Sequence, residues 1–439
     1  MRSIYILSLA AIAPLAAHAL DLPAPVTDDA YRPVNRAEAE LGQLLFYDPI
    51  LSGNRNISCA TCHHPKFGTA DGVSLSLGEG GIGLGPDRRA DPDNLPEQRI
   101  PRNAPGLFNL GAHEFTVMFH DGRIEVDKEL PGGIRTPMDE DMNTGFATLL
   151  SAQTMFPVLS ADEMAGHYSE NDVSQAVRQG RITGEGGAWD ILSQRIAENP
   201  IYAHLFKSVY PDIEKGHAIM FTDISNAIGA FIELEWRSDQ SLFDRVLRGE
   251  AEMSPDATAG MELFYGDAGC ATCHSGPFQT DHSFHNMGVP QFGPGKAARF
   301  ETHARDLGRA RVTGDDADAY AFRTPSLRNV TKTAPYGHTG AYRGLGDFIR
   351  AHVDPVNALS SYNRVEPVLP ALEVEDFWVM DRPEEVDAIR TSAKSFTQPL
   401  SDLEVSQLVA FLATLEDPDA IEGRLGIPQQ VPSGLPIDR

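Results

Sequence analysis

All four cysteines of this chain fall in two copies of one pattern, Cys59-Ala60-Thr61-Cys62-His63 and Cys270-Ala271-Thr272-Cys273-His274. Two thiols three residues apart can form thioethers to both vinyl groups of one haem, and the histidine that follows can turn back to ligate the iron. The spacing therefore reads as c-type haem attachment, twice. A C-x-x-C pair alone also serves as half a zinc site or as a thioredoxin-like redox pair. A four-thiolate zinc site built from both pairs would not require a histidine after each. Here both are present, and no thiol is left for a disulfide.

In bacteria thioether attachment is completed outside the cytoplasm, and the first residues fit export. Arg2 supplies a positive n-region, Ile4 to Ala16 an apolar stretch, and Ala17-His18-Ala19 a small-x-small cleavage site, so residues 1–19 read as a signal peptide. The mature chain is expected to begin near Leu20, in the periplasm. No later stretch has the apolar run needed to span a bilayer. With 439 residues, 41% of them apolar, the chain can bury a large core in two or three domains. A net charge of -26 argues against a nucleic-acid partner, whose phosphates would be repelled. It suits a basic or dipolar electron-donor protein, and equally the solubility of an exported chain.

The two halves share more than the cysteines. Leu45-Phe46-Tyr47-Asp48 precedes the first motif and Leu263-Phe264-Tyr265-Gly266-Asp267 the second, as a duplicated single-haem module would require. Residues 36–47 have helical composition, and 78–106, rich in Gly, Pro, Asp and Arg, read as a long loop. Apolar residues at helical spacing predict an amphipathic helix within 219–247, near the junction of the halves. Ser401 and Glu404 form a capping box ahead of Leu408, Phe411, Leu412 and Leu415, and the tail after Pro418 reads as extended. The expected fold is mainly α, divided into residues 20–215 and 216–439, each with a haem at the centre of a small core.

Further strings surround the two motifs: Leu41-Gly42 and Phe46-Tyr47-Asp48-Pro49, Arg102-Asn103-Ala104-Pro105, Phe119-His120-Asp121-Gly122-Arg123, Asp162-Glu163-Met164, Phe284-His285-Asn286-Met287-Gly288-Val289-Pro290, Arg323-Thr324-Pro325-Ser326-Leu327-Arg328-Asn329-Val330, and Thr333-Ala334-Pro335-Tyr336-Gly337-His338-Thr339-Gly340. In order and spacing, over nearly the whole mature chain, they resemble the bacterial dihaem cytochrome c peroxidase and MauG superfamily. The resemblance implies two cytochrome c-like domains, a peroxide site at the N-terminal haem and an electron-handling haem in the C-terminal half. It makes Cys59, Cys62, Cys270 and Cys273 the attachment residues, His63 and His274 the proximal iron ligands, and Glu163 the distal acid/base. A carboxyl group suits that role, because peroxide must lose a proton from one oxygen and gain one on the other.

This chain departs from the superfamily's pattern in three places. Residues 65–101 contain no histidine, so the first haem is expected to lack the resting distal ligand of many family peroxidases. The position of the second haem's sixth ligand, usually methionine or tyrosine, falls on His352, with Met380 as a more distant competitor. A bis-histidine iron should sit at lower potential than a Met/His iron. Finally, His120 stands where the family has its inter-haem tryptophan; its ring, or that of Phe119, is then the expected bridge. By position a structural Ca²⁺ would be held by the Asn103 side chain and the carbonyls of Thr333 and Pro335, oxygen ligands that suit that ion.

The expected function is reduction of hydrogen peroxide to water with electrons from a small donor, a cytochrome c or cupredoxin, and a homodimer is compatible with it. The alternative is a MauG-like enzyme that uses peroxide to oxidise aromatic side chains of a partner protein. A plain electron-transfer cytochrome would need no distal carboxyl group and would saturate both irons.

Overall fold

The computed structural model describes residues 20–142, 144–297, 301–394 and 399–439, so the signal-peptide segment 1–19 lies outside the described residues. Helices carry the fold. Among the described residues the strands are two short antiparallel pairs and one three-stranded set, Val117–Met118, Ile124–Val126 and Ile134–Arg135. Among the described residues no helix is long and apolar enough to cross a membrane.

One arrangement occurs twice. Helix Arg36–Tyr47 starts where the Asn35 side chain accepts the Ala37 N–H, and its apolar face packs on helix Phe221–Glu235. The backbones approach closely because residue 42 is glycine: a Cβ there would lie 1.8 Å from the Ala227 carbonyl oxygen. In the second half, helix Pro255–Tyr265 crosses helix Asp402–Ala413, and a Cβ on Gly260 would lie 1.9 Å from the Gln407 oxygen. Each glycine precedes a Phe-Tyr pair by the same spacing, so the duplicated string marks a duplicated helix crossing. Each crossing feeds a Cys-x-x-Cys-His turn.

The larger apolar core gathers the first crossing with helices Ala188–Glu198 and Pro200–Val209. A smaller one, including Phe243, Phe264, Leu408, Phe411 and Leu415, holds the second. The capping box at Ser401 forms, with the Ser401 hydroxyl donating to Glu404 at 2.7 Å and accepting the Glu404 N–H at 3.3 Å. The apolar run over 219–247 becomes two helices, Phe221–Glu235 and Leu242–Leu247. The chain leaves the first at Trp236, whose indole is buried against Phe46 and Phe231, and Ser241 caps the second. Helix Phe221–Glu235 lies on the far side of the 215/216 division yet packs in the first core. The tail after Pro418 does the same: it forms the short helix Pro418–Glu422 and returns to that core through Ala420 and Val431.

Arg102 ties the halves together. Its buried guanidinium pairs with Asp121 at 2.8 Å in the first half and bidentately with Asp306, at 2.7 and 2.8 Å, in the second. Burial with full hydrogen bonding is the condition under which such a charge is tolerated.

Candidate haem centres

The first motif is a single helical turn, Cys59–Cys62, held at its start by the Ser58 N–H donating to Thr61 Oγ1 at 3.0 Å. Burial pushes both thiols up to about 12, so without a bound metal they are neutral near pH 7. Among the described residues no metal-ligating cluster unites the two cysteine pairs; one cluster groups Cys273 with Asp281 and His285.

Both motif histidines are oriented in the same way. His63 Nδ1 lies 2.9 Å from the Thr69 carbonyl, and His274 Nδ1 lies 2.9 Å from that of Gln279. Thr69 and Gln279 are both in the left-handed region, at φ 63° and 50°, which turns their carbonyls back toward the rings. Holding Nδ1 as the N–H leaves Nε2 with its lone pair outward, the tautomer that an iron ligand needs.

The surroundings then differ. Glu163 lies in a π turn, Ala161–Ala165, where the Ser160 hydroxyl accepts its N–H at 3.3 Å. Gly78 lets the neighbouring loop close on it, since a Cβ there would lie 2.9 Å from Glu163 Cα, and in that loop Ser76 Oγ is 3.8 Å from Cys62 Sγ. The turn is thereby set beside the first motif. Burial raises the Glu163 pKa, and the charges of Lys296 and Arg123 pull it back down. Lys296 comes from the other half, on a loop that passes so close to Leu75 that a Cβ on Gly293 would lie 2.3 Å from its Cδ1. Its own pKa is lowered, by burial first and then by Arg123 and Arg102. Ten residues before Glu163, Gln153 keeps its amide oxygen buried without a protein partner. Sequence reading missed both. Lys296 is distant in the chain and in no motif; Gln153 stands beside Ser151 and Thr154 in the short helix Leu149–Thr154, so nothing along the chain singles it out.

The second motif opens on a cavity of about 300 Å³, mostly apolar, lined by Cys270, Cys273, His274, His352 and Met287 among others. His352 lies on helix Leu345–Val353, its ring 4.4 Å from that of Phe348. Its pKa is lowered to about 4, by burial first and then by His274, so the imidazole is neutral near pH 7. Met380 packs elsewhere, with Leu359, Val379 and Trp378. Met287, within one of the strings that carry the resemblance, is the thioether that shares the cavity with His274.

His120 and Phe119 part company. The His120 ring lines this cavity, with Nε2 3.4 Å from the Asn103 carbonyl, and its pKa is lowered to about 4 by burial and then by Arg102. Phe119, at φ 65°, faces the first core, with its ring 5.9 Å from Phe156 and covered by the Arg123 guanidinium at 3.5 Å. Asn103, Thr333 and Pro335 also share the cavity wall, and the Asn103 amide nitrogen donates to the Val73 carbonyl at 2.8 Å.

Residues 36–252 match the model of the family described as di-haem cytochrome c peroxidase. The methylamine utilization protein MauG of Methylorubrum extorquens is 30% identical over 326 residues, which are 74% of this chain and 70% of that one. Cytochrome c551 peroxidase of Nitrosomonas europaea is 30% identical over 312 residues, 71% of each chain. Among solved structures, the diheme peroxidase BthA from Burkholderia thailandensis shares the fold with a TM-score of 0.59 at 20% identity, covering 95% of this chain and 94% of that one. With relatives of both names at equal identity, the chain belongs to the di-haem cytochrome c peroxidase family and is an oxidoreductase of that family.

Proposed function

We propose that this chain is a periplasmic peroxidase with two cytochrome c-like modules, one carrying a c-type haem on Cys59, Cys62 and His63 and the other on Cys270, Cys273 and His274. It reduces hydrogen peroxide to water with electrons from a small redox protein, a cytochrome c or cupredoxin. The observation that carries this reading is the placement of the Glu163 turn beside the first motif, with no histidine in residues 65–101 to occupy that side. Two thiols three residues apart and an imidazole held through Nδ1 are what a thioether-bound haem requires at each motif, and at the second an apolar cavity is ready for the ring. When bound, the first haem supplies the iron that takes peroxide and the second supplies an electron store.

Each peroxide consumes two electrons and two protons to give two waters. Glu163 accepts the proton of one peroxide oxygen and returns it to the other, and its raised pKa brings the carboxyl nearer the operating pH for both transfers. Lys296 and Arg123 place positive charge beside it, which favours the negative charge that develops as the O–O bond breaks. His352 completes the second centre from within the same cavity as His274, and His120, on the wall of that cavity, is the candidate bridge toward the first centre. Asn103, Thr333 and Pro335 share the wall of that cavity, and the Asn103 Oδ1 with the two carbonyls would offer oxygen ligands of the kind that suit Ca²⁺.

The missing loop histidine and His352 favour a second reading, a MauG-like enzyme that oxidises aromatic side chains of a partner protein. Mixing the diferric protein with peroxide, then with reduced donor, separates them. Rapid oxidation of reduced cytochrome c or cupredoxin supports the peroxidase. A spectral change that persists without donor, with poor donor turnover, supports the second reading. Failure of both irons to bind peroxide or cyanide would leave an electron-transfer cytochrome and defeat both.

A further inference from the structure

Several buried arginines of this fold meet a carboxylate: Arg99 pairs with Asp376, Arg102 with Asp121 and Asp306, and Arg328 with Asp244. Arg323 does not. It lines the cavity of the second motif, and among the described residues its guanidinium donates only to backbone carbonyls, Phe119 O at 3.2 Å and Thr324 O at 3.3 Å. Burial alone lowers its pKa, to about 10, with no acidic group acting in the other direction. A desolvated cation without an anion is strongly disfavoured, so the partner must come from what fills the cavity.

A second orphan lies on the same wall. His338 is 6% exposed, lines the cavity and leaves Nε2 buried without a partner. Its ring stacks on Phe322, with centroids 3.7 Å apart and planes at 14°, while the Arg102 guanidinium lies 5.6 Å from the Phe322 centroid. The charged groups acting on the His338 and His120 imidazoles are Arg102, Arg323, Asp306 and Asp121. Both nearby acids are engaged: Asp306 accepts from Arg102 with both oxygens, and Asp121 accepts from Arg102 and Arg123.

We propose that Arg323 and His338 together receive a carboxylate of the group held in this cavity, a propionate of the second haem. Every haem carries two such carboxylates, and a planar guanidinium beside an imidazole nitrogen is a donor set matched to one of them. The inference rests on reading the cavity as a haem site. It adds a consequence: the fixed positive charge of Arg323 stabilises the less positive, ferrous iron and so holds the potential of the second centre up. Because the Arg323 guanidinium also holds the Phe119 carbonyl, one side chain joins that carboxylate to the first half of the molecule.

The test is a spectroelectrochemical titration of the holoprotein between pH 6 and 9, with haem counted as the pyridine haemochrome. Arg323→Met should lower the second-haem potential and make it pH-dependent, the shift shrinking toward low pH as the unpaired propionate protonates. His338→Phe, which keeps the ring stack, should lower it less, and Arg323→Lys should restore most of the wild-type value. A potential and pH dependence unchanged in both Arg323→Met and His338→Phe, with only the melting temperature lowered, would overturn the proposal and leave Arg323 a structural bridge. If Arg323→Met does not fold, His338→Phe decides alone. One haem per wild-type chain instead of two would overturn the dihaem reading itself, a result distinct from an unchanged potential.

Discussion

The two Cys-x-x-Cys-His regions share a scaffold to the level of single residues and differ in what faces it. Each follows a helix crossing made close by one glycine, Gly42 or Gly260, and each turns its histidine with a carbonyl from a left-handed residue, Thr69 or Gln279. Beside the first lie a carboxyl group, Glu163, and the charges of Lys296 and Arg123. Around the second lie His352, Met287, Arg323 and His338, lining one cavity. On the proposed reading, the attachment motif sets where a haem goes and how its proximal ligand points. The groups on the other side then set whether the iron is offered to peroxide or closed and tuned.

The contrast can be broken at its strongest point by Glu163→Gln. Turnover of peroxide should fall by about 10²- to 10⁴-fold, the range for losing a general acid/base, while the second haem's spectrum stays that of wild type. Stopped-flow peroxide kinetics give the answer; retained turnover would remove the main difference between the centres. The shared scaffold is tested next by Gly42→Ala and Gly260→Ala. Each added Cβ would overlap a carbonyl oxygen at 1.8 or 1.9 Å, so despite the better helix propensity of alanine each should destabilise the protein by about 1–3 kcal/mol in chemical denaturation. An effect at one glycine alone would deny that the crossings are equivalent.

A smaller effect separates the ligands of the closed centre. His352→Met should raise the second-haem potential, because thioether ligation favours ferrous iron, whereas Met287→Leu should leave potential and spectrum unchanged. The reverse pattern would assign the iron to Met287. Smallest is the effect of Lys296→Met on the pH profile. Lys296 lowers the Glu163 pKa, so its removal should raise that pKa further and move the acid limb of peroxide turnover to higher pH. An unmoved limb would place Lys296 outside the peroxide site.

Legibility in the sequence follows how local each signal is. The motifs, the duplicated Phe-Tyr string and the Ser401/Glu404 box are short-range patterns, and each corresponds to a structural element at its place. Helix Phe221–Glu235 was visible as a helix, but nothing local tells that its partner is Arg36–Tyr47 rather than the segment that follows it. The break at Trp236 was legible in the polar run Arg237-Ser238-Asp239-Gln240-Ser241, whose last residue caps the next helix; burial of the indole against Phe46 is a tertiary fact. Lys296 and Arg323 escaped for a related reason. Their meaning lies in a neighbour they have, Glu163, or a carboxylate they lack, and neither is visible along the chain.

The claim that one centre is open and the other closed is tested most directly by titrating the diferric holoprotein with cyanide, following high-spin and low-spin signals by electron paramagnetic resonance. The account predicts saturation at one cyanide per two haems, with the high-spin signal lost and the bis-imidazole low-spin signal unchanged. A resting protein with no high-spin haem, or binding of two cyanides or none, would contradict it.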